Sequence, residues 1–150
     1  MWIRTILFLV VNFGALALGS LLMRNPATNE WYQHLDKAPW TPLGWVFGAA
    51  WFSIMILFSV FMARVTAHLE SRGTWLVLFA LQFVLNVMWN PVFFRWHLIS
   101  VALVILALLI VVIILLMKRS LQQDRFNFLF ILPYLVWLFI AFSLNAYVVF

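Results

Sequence analysis

The sequence predicts an all-α membrane protein, a bundle of five transmembrane helices with a long aromatic loop between the first two. Three observations predict it. Of 150 residues, 67% are hydrophobic and 9% charged, too little charge to cover a soluble surface. The apolar residues gather in five runs, about 5–23, 44–63, 74–94, 98–117 and 126–150, each near the roughly 20 residues that cross a hydrocarbon core of about 30 Å. No Asp, Glu, Lys, Arg or His lies inside any run. The chain therefore reads as one membrane domain spanning residues 1–150. It has no cysteine, which excludes disulfides, thiolate chemistry and Cys-ligated metals.

The first run, 5–23, leads into Arg24, Asn25 and Pro26 without a small-x-small cleavage pattern and is expected to stay as a helix. It carries one amide, Asn12, and a small-residue pair, Ala15 and Gly19. The connection 24–43 is long for so compact a chain. It carries Pro26, Pro39 and Pro42, and Trp31, Tyr32, Leu35 and Trp40 are too apolar for disorder. It is expected to fold back over one end of the bundle. The second run opens with Gly44 and Gly48, which, like Ala15 and Gly19, read as helix-packing sites.

The third run places Gln82, Asn86 and Asn90 four residues apart on one helical face, with Trp89 beside it. A tight turn at 95–97 leads to the fourth run, which has no polar residue between Ser100 and Lys118 and reads as structural and lipid-facing. The fifth run aligns Trp137, Ala141 and Asn145 on one face.

Basic residues orient these spans. Arg4, Arg64, Arg72, Lys118, Arg119 and Arg125 fall at the N-terminus and in the second and fourth connections. Arg24, Lys37 and Arg95 fall in the first and third. The positive-inside rule places the larger group, with the N-terminus, in the cytoplasm. The long loop and the C-terminus then lie outside. The net charge of +5 thus reads as topology and does not point to nucleic acid.

Polar side chains are costly in a bilayer and mark either helix–helix bonds or a ligand path. Asn86 lies about 12 Å below the outer end of its helix at 1.5 Å per residue, Trp51 at a similar depth, and Ala141 and Asn145 in the same outer half. A pocket there would be roofed by the long loop. Trp2, Trp45, Trp75 and Trp96 suit an interfacial belt. Trp51, Trp89 and Trp137 lie deeper; with the amides nearby they suggest a flat aromatic ligand.

Three motif blocks then carry a resemblance. They are Trp31-Tyr32-x-x-Leu35-x-Lys37-x-x-Trp40-x-Pro42 followed by Trp45-Val46-Phe47-Gly48-x-x-Trp51, Gln82-x-x-Leu85-Asn86-x-x-Trp89-x-Pro91-x-Phe93-Phe94, and Pro133-Tyr134-Leu135-x-Trp137-x-x-x-Ala141-x-x-Leu144-Asn145. In this order they resemble the translocator protein family, the tryptophan-rich sensory proteins or peripheral-type benzodiazepine receptors. The resemblance implies a homodimer binding porphyrins such as protoporphyrin IX, with no covalently bound cofactor, and benzodiazepine-type ligands. It also implies a cavity formed by Trp51, Asn86, Trp89, Trp137, Ala141 and Asn145 beneath a lid containing Trp31, Lys37, Trp40 and Pro42. Two departures stand out: Met55 replaces a family tyrosine, which is expected to alter ligand preference, and Leu43 a proline. The animal sterol motif is incomplete, because Tyr147 is followed by Val148-Val149-Phe150 with no Lys or Arg.

The resemblance and the pocket imply a porphyrin-binding membrane receptor or sensor in a bacterial cell membrane, linked to tetrapyrrole or stress regulation. A transporter of hydrophobic ligands is the first alternative, but Glu30, Asp36, Glu70 and Asp124 all lie in connections, which disfavours ion coupling. A light-dependent porphyrin-degrading enzyme is the second. The spans hold no nucleophile–base pair or acid–base dyad, so no catalytic residue is assigned. His34, His68 and His97 lie at the connections, so neither a buried haem ligand nor a metal site is expected.

Overall fold

A computed structural model describes residues 1–23, 25–26 and 28–150; Arg24, counted above for topology, lies outside them. Six α-helices follow in order: α1 (Trp2–Leu22), α2 (Glu30–Gln33), α3 (Gly44–Val65), α4 (Arg72–Phe94), α5 (Ile99–Leu121) and α6 (Phe128–Val149), the last preceded by a 3-10 turn at Arg125–Asn127. The helices α1, α3, α4, α5 and α6 are long and apolar enough to cross a membrane. The protein is an integral multi-pass membrane protein.

The five spans form a closed ring. α1 packs on α3 and α4, α5 lies between α4 and α6, and α6 returns to α3, while α3 and α4 touch only lightly. A bundle in lipid gains little from hydrophobic burial, so packing and interhelical hydrogen bonds hold it. The bonds are specific. Asn12 Nδ2 donates to Ser59 Oγ at 2.8 Å, joining α1 to α3. Tyr134 Oη donates to Gln82 Oε1 at 2.8 Å, joining α6 to α4. Asn145 Nδ2 donates to the Ile99 carbonyl at 3.1 Å, joining α6 to α5. α5 has a buried stripe from Ala102 to Leu116, and Val101, Val104, Leu108, Val111 and Leu115 face outward. It therefore divides its surface between core and lipid.

The half of the bundle away from the long loop is solid. Phe58 stacks between Phe61 and Phe79 at 5.9 Å from each and meets Tyr134 edge-on at 5.1 Å. Trp75 sits edge-on to Phe61 with the Arg119 guanidinium 5.3 Å above its ring. At this end Arg64 joins Asp124 at 2.9 Å and Asn127 Oδ1 at 2.8 Å, tying α3 to the turn before α6. Arg4 Nε donates to the Ala63 carbonyl at 3.2 Å.

Two expectations change here. Trp75 is 0% exposed, a core residue and not part of an interfacial belt; Trp2, Trp45 and Trp96 are exposed, as is Trp40 of the loop. Gly44 and Gly48 are exposed, and a Cβ on either would meet nothing within 4 Å. They are therefore not packing sites within the chain. Ala15 and Gly19 are: both are buried on the α1 seam, and a Cβ on Gly19 would lie 2.8 Å from Asn90 Nδ2. Only a glycine lets α1 approach α4 that closely without displacing Asn90.

Candidate ligand-binding site

The loop-side half of the bundle is hollow. Where α3 and α4 separate, a cavity of about 630 Å³ opens between them and α1, beneath the loop. α1 contributes Ala15, Leu16 and Ser20; α3 contributes Gly44, Phe47, Gly48 and Trp51; α4 contributes Asn86, Trp89, Asn90 and Phe94. The loop closes it with Tyr32, Gln33, Lys37, Thr41 and Pro42. Its volume lies within the range of small-molecule sites, which pair apolar walls with a few placed polar groups. A second, smaller space of about 50 Å³ is bordered by Ala141, Leu144 and Asn145 and shares Tyr32, Lys37, Thr41, Phe47, Trp89 and Phe94 with the first.

The loop is fastened at three points. Asn29 accepts a hydrogen bond from the Tyr32 backbone N–H at 3.3 Å, capping α2, and its Nδ2 donates to the Phe94 carbonyl at 3.1 Å. One side chain thus starts α2 and ties it to the end of α4. Trp31 stacks on His97 at 3.9 Å and meets Phe93 edge-on. His97 holds a left-handed backbone, φ 58°, at the turn between α4 and α5, a conformation in which His is enriched over most residues. Trp40 Nε1 donates to Ser143 Oγ at 3.1 Å and its ring meets Tyr147 edge-on at 5.4 Å. Burial raises the Tyr32 phenol above its ordinary pKa.

The residues singled out from the sequence divide accordingly. Trp51, Asn86 and Trp89 come together on the main cavity wall, with Lys37 and Pro42 above them. Ala141 and Asn145 border the smaller space. Trp137 reaches neither; it stands behind the wall, edge-on to Phe47 at 5.4 Å. Trp31 and Trp40 hold the lid down without lining the space. Met55 is buried in the core and is absent from both walls. The departure at that position therefore does not alter the wall chemistry directly. Tyr32, Phe47, Thr41 and Asn90 line the site but were not singled out as site residues, and Asn29 was missed as a fastener. An Asn immediately before Glu30 is an N-cap signal that could have found it.

The amides also separate by use. Asn12 and Gln82 are occupied in helix–helix bonds. Asn86 is only 6% exposed and lines the cavity, and none of the hydrogen bonds among the described residues uses its side-chain amide. Trp89 Nε1 and Asn145 Oδ1 are likewise buried without a partner. Ser71 Oγ and Trp75 Nε1 are unpartnered at the opposite end as well; buried polar groups are normally satisfied, and those that border the cavity suit a polar-edged occupant. Among the described residues no group of His, Asp or Glu could hold a metal ion.

Comparison with known proteins identifies the family. A model of the TspO/MBR family matches residues 6–150. The chain is 33% identical over 144 residues to a tryptophan-rich sensory protein of Cereibacter sphaeroides, covering 96% of this chain and 88% of that one. It is 31% identical over 118 residues to the protein CrtK of Rhodobacter capsulatus, covering 77% and 74%. It is also 31% identical over 130 residues to the tryptophan-rich protein TspO of Chlorobaculum tepidum, covering 85% and 82%.

Proposed function

Because the chain belongs to the TspO/MBR family, we propose that it is a membrane receptor or sensor that takes a porphyrin such as protoporphyrin IX into the loop-side cavity. The single observation that carries this reading is the unspent Asn86 amide on the wall of a space of about 630 Å³, flanked by Trp51 and Trp89. Indole faces give stacking area to a flat ring, and the amide gives a directed hydrogen bond in a dry site. A benzodiazepine-type ligand meets the same requirements. The name of the Cereibacter sphaeroides relative supports the sensory role.

The packed aromatic floor favours reception over passage. Below Trp51 the ring of Tyr134 lies 5.8 Å away, and Phe58 lies behind it. The space is thus closed toward the basic end by side chains that are themselves buried.

Titration of the purified protein with protoporphyrin IX, followed by tryptophan fluorescence, tests the proposal. Saturable quenching is expected. Trp51→Ala should weaken it about tenfold or more, from lost aromatic stacking plus lost apolar area, while circular dichroism stays helical. Unsaturable quenching, or equal affinity in the folded variant, would remove the cavity from consideration.

A further inference from the structure

The cavity has an electrostatic asymmetry that its shape alone does not require. Among the described residues, Lys37 is the only charged residue on its wall, and it also borders the smaller space. The neighbouring Asp36 and the nearby Glu30 are exposed and line neither space. The ammonium is held over the Tyr32 ring, 4.6 Å from its centroid. Its one hydrogen bond, to the Gln33 carbonyl, is 3.5 Å long, at the weak limit of such bonds. An ammonium has three donors, so at this partly exposed position it has further hydrogen bonds to offer a ligand. The site thus joins one positive group in the lid to an apolar, aromatic body and to a neutral amide, Asn86, on the wall.

We propose, building on the reading of this cavity as a ligand site, that Lys37 makes it selective for acids: flat apolar ligands carrying a carboxylate at the lid end. An anion there forms a charge-assisted hydrogen bond in a partly apolar setting where Coulomb attraction exceeds its value in water. Among the described residues no acidic side chain on the wall opposes it. A neutral ligand of the same outline leaves the ammonium without that bond. Lys37 is therefore a specificity-determining residue, placed on the lid itself; ligand charge and lid position are linked through it.

The test compares protoporphyrin IX, its dimethyl ester and a neutral benzodiazepine in wild type, Lys37→Met and Lys37→Arg, in nanodiscs of zwitterionic lipid. Empty nanodiscs correct for partition. Wild type should bind the acid about tenfold more tightly than the ester, the effect of one charge-assisted hydrogen bond, and added salt should narrow the gap. Lys37→Met should abolish the preference of acid over ester, and Lys37→Arg should restore it. Equal wild-type binding of acid and ester overturns the charge selectivity while leaving the cavity reading intact. Failure of both porphyrins and the benzodiazepine to bind overturns the cavity reading first. If Lys37→Met does not fold, the acid-to-ester ratio in wild type and its salt dependence still decide the matter.

Discussion

The two halves of this bundle are made of the same residue types and solve opposite problems. At the basic end, the Phe58, Phe61, Trp75 and Phe79 rings fill the interior, and Arg64, Asp124 and Asn127 satisfy one another. At the loop end, α3 and α4 part, tryptophans face a space, and the Asn86 amide is unpaired. Lipid is as apolar as the core, so it does not press helices together. A hollow half therefore persists only if the solid half and the loop fix the helix positions. Stability resides at one end, and the capacity to bind resides at the other.

The largest effect should come from asking whether the halves face opposite sides. With no native cysteine in the chain, Glu30→Cys and Glu70→Cys give clean accessibility labels. Label applied outside should react with position 30 and not with 70, as the basic-residue bias requires. Labelling of both from one side would break the proposed topology. Next comes Trp75→Ala, which empties a fully buried site. It should cost about 3–5 kcal/mol and lower the detergent melting temperature far more than Trp51→Ala does.

Gly48→Leu reverses the experiment by adding bulk to the hollow half. A side chain there starts in open space, and leaving glycine favours the helix by about 0.5–1 kcal/mol. The melting temperature should hold or rise while porphyrin affinity falls, separating binding from folding in one variant. The smallest effect belongs to Gly19→Ala. Its methyl would crowd Asn90 Nδ2, the tip of a movable side chain. A melting shift of a degree or two is expected, with a modest affinity change because Asn90 also lines the cavity.

The sequence disclosed the spans, the loop and the place of Trp51 and Asn86 in the loop-side half, because polar residues are rare in lipid and each one carries information. It did not disclose which face of a helix meets the core. In a soluble bundle, polarity marks that face; here Trp75 inside and Val77 outside are both apolar, so no amphipathic pattern separates them. Nor could spacing separate Gln82 from Asn86. They share a helical face, yet one meets Tyr134 and the other meets the cavity, because the partner comes from a segment fifty residues on. Gly44 and Gly48 misled for a related reason: a missing side chain marks close approach and open space alike.

The three lid fastenings also set an order of assembly. Trp40 and Ser143 are 103 residues apart in sequence, and Asn29 and Phe94 are 65 apart. The loop leaves the ribosome early, but its partners on α4 and α6 emerge later. Asn29 and Trp31 can dock once α4 and its turn are made, but Trp40 must wait, unfastened, until the fifth span is inserted. Such long-range contacts close late and slowly. A biogenesis defect in α6 would surface first as a roof loose at Trp40, on a bundle whose other spans are already in place.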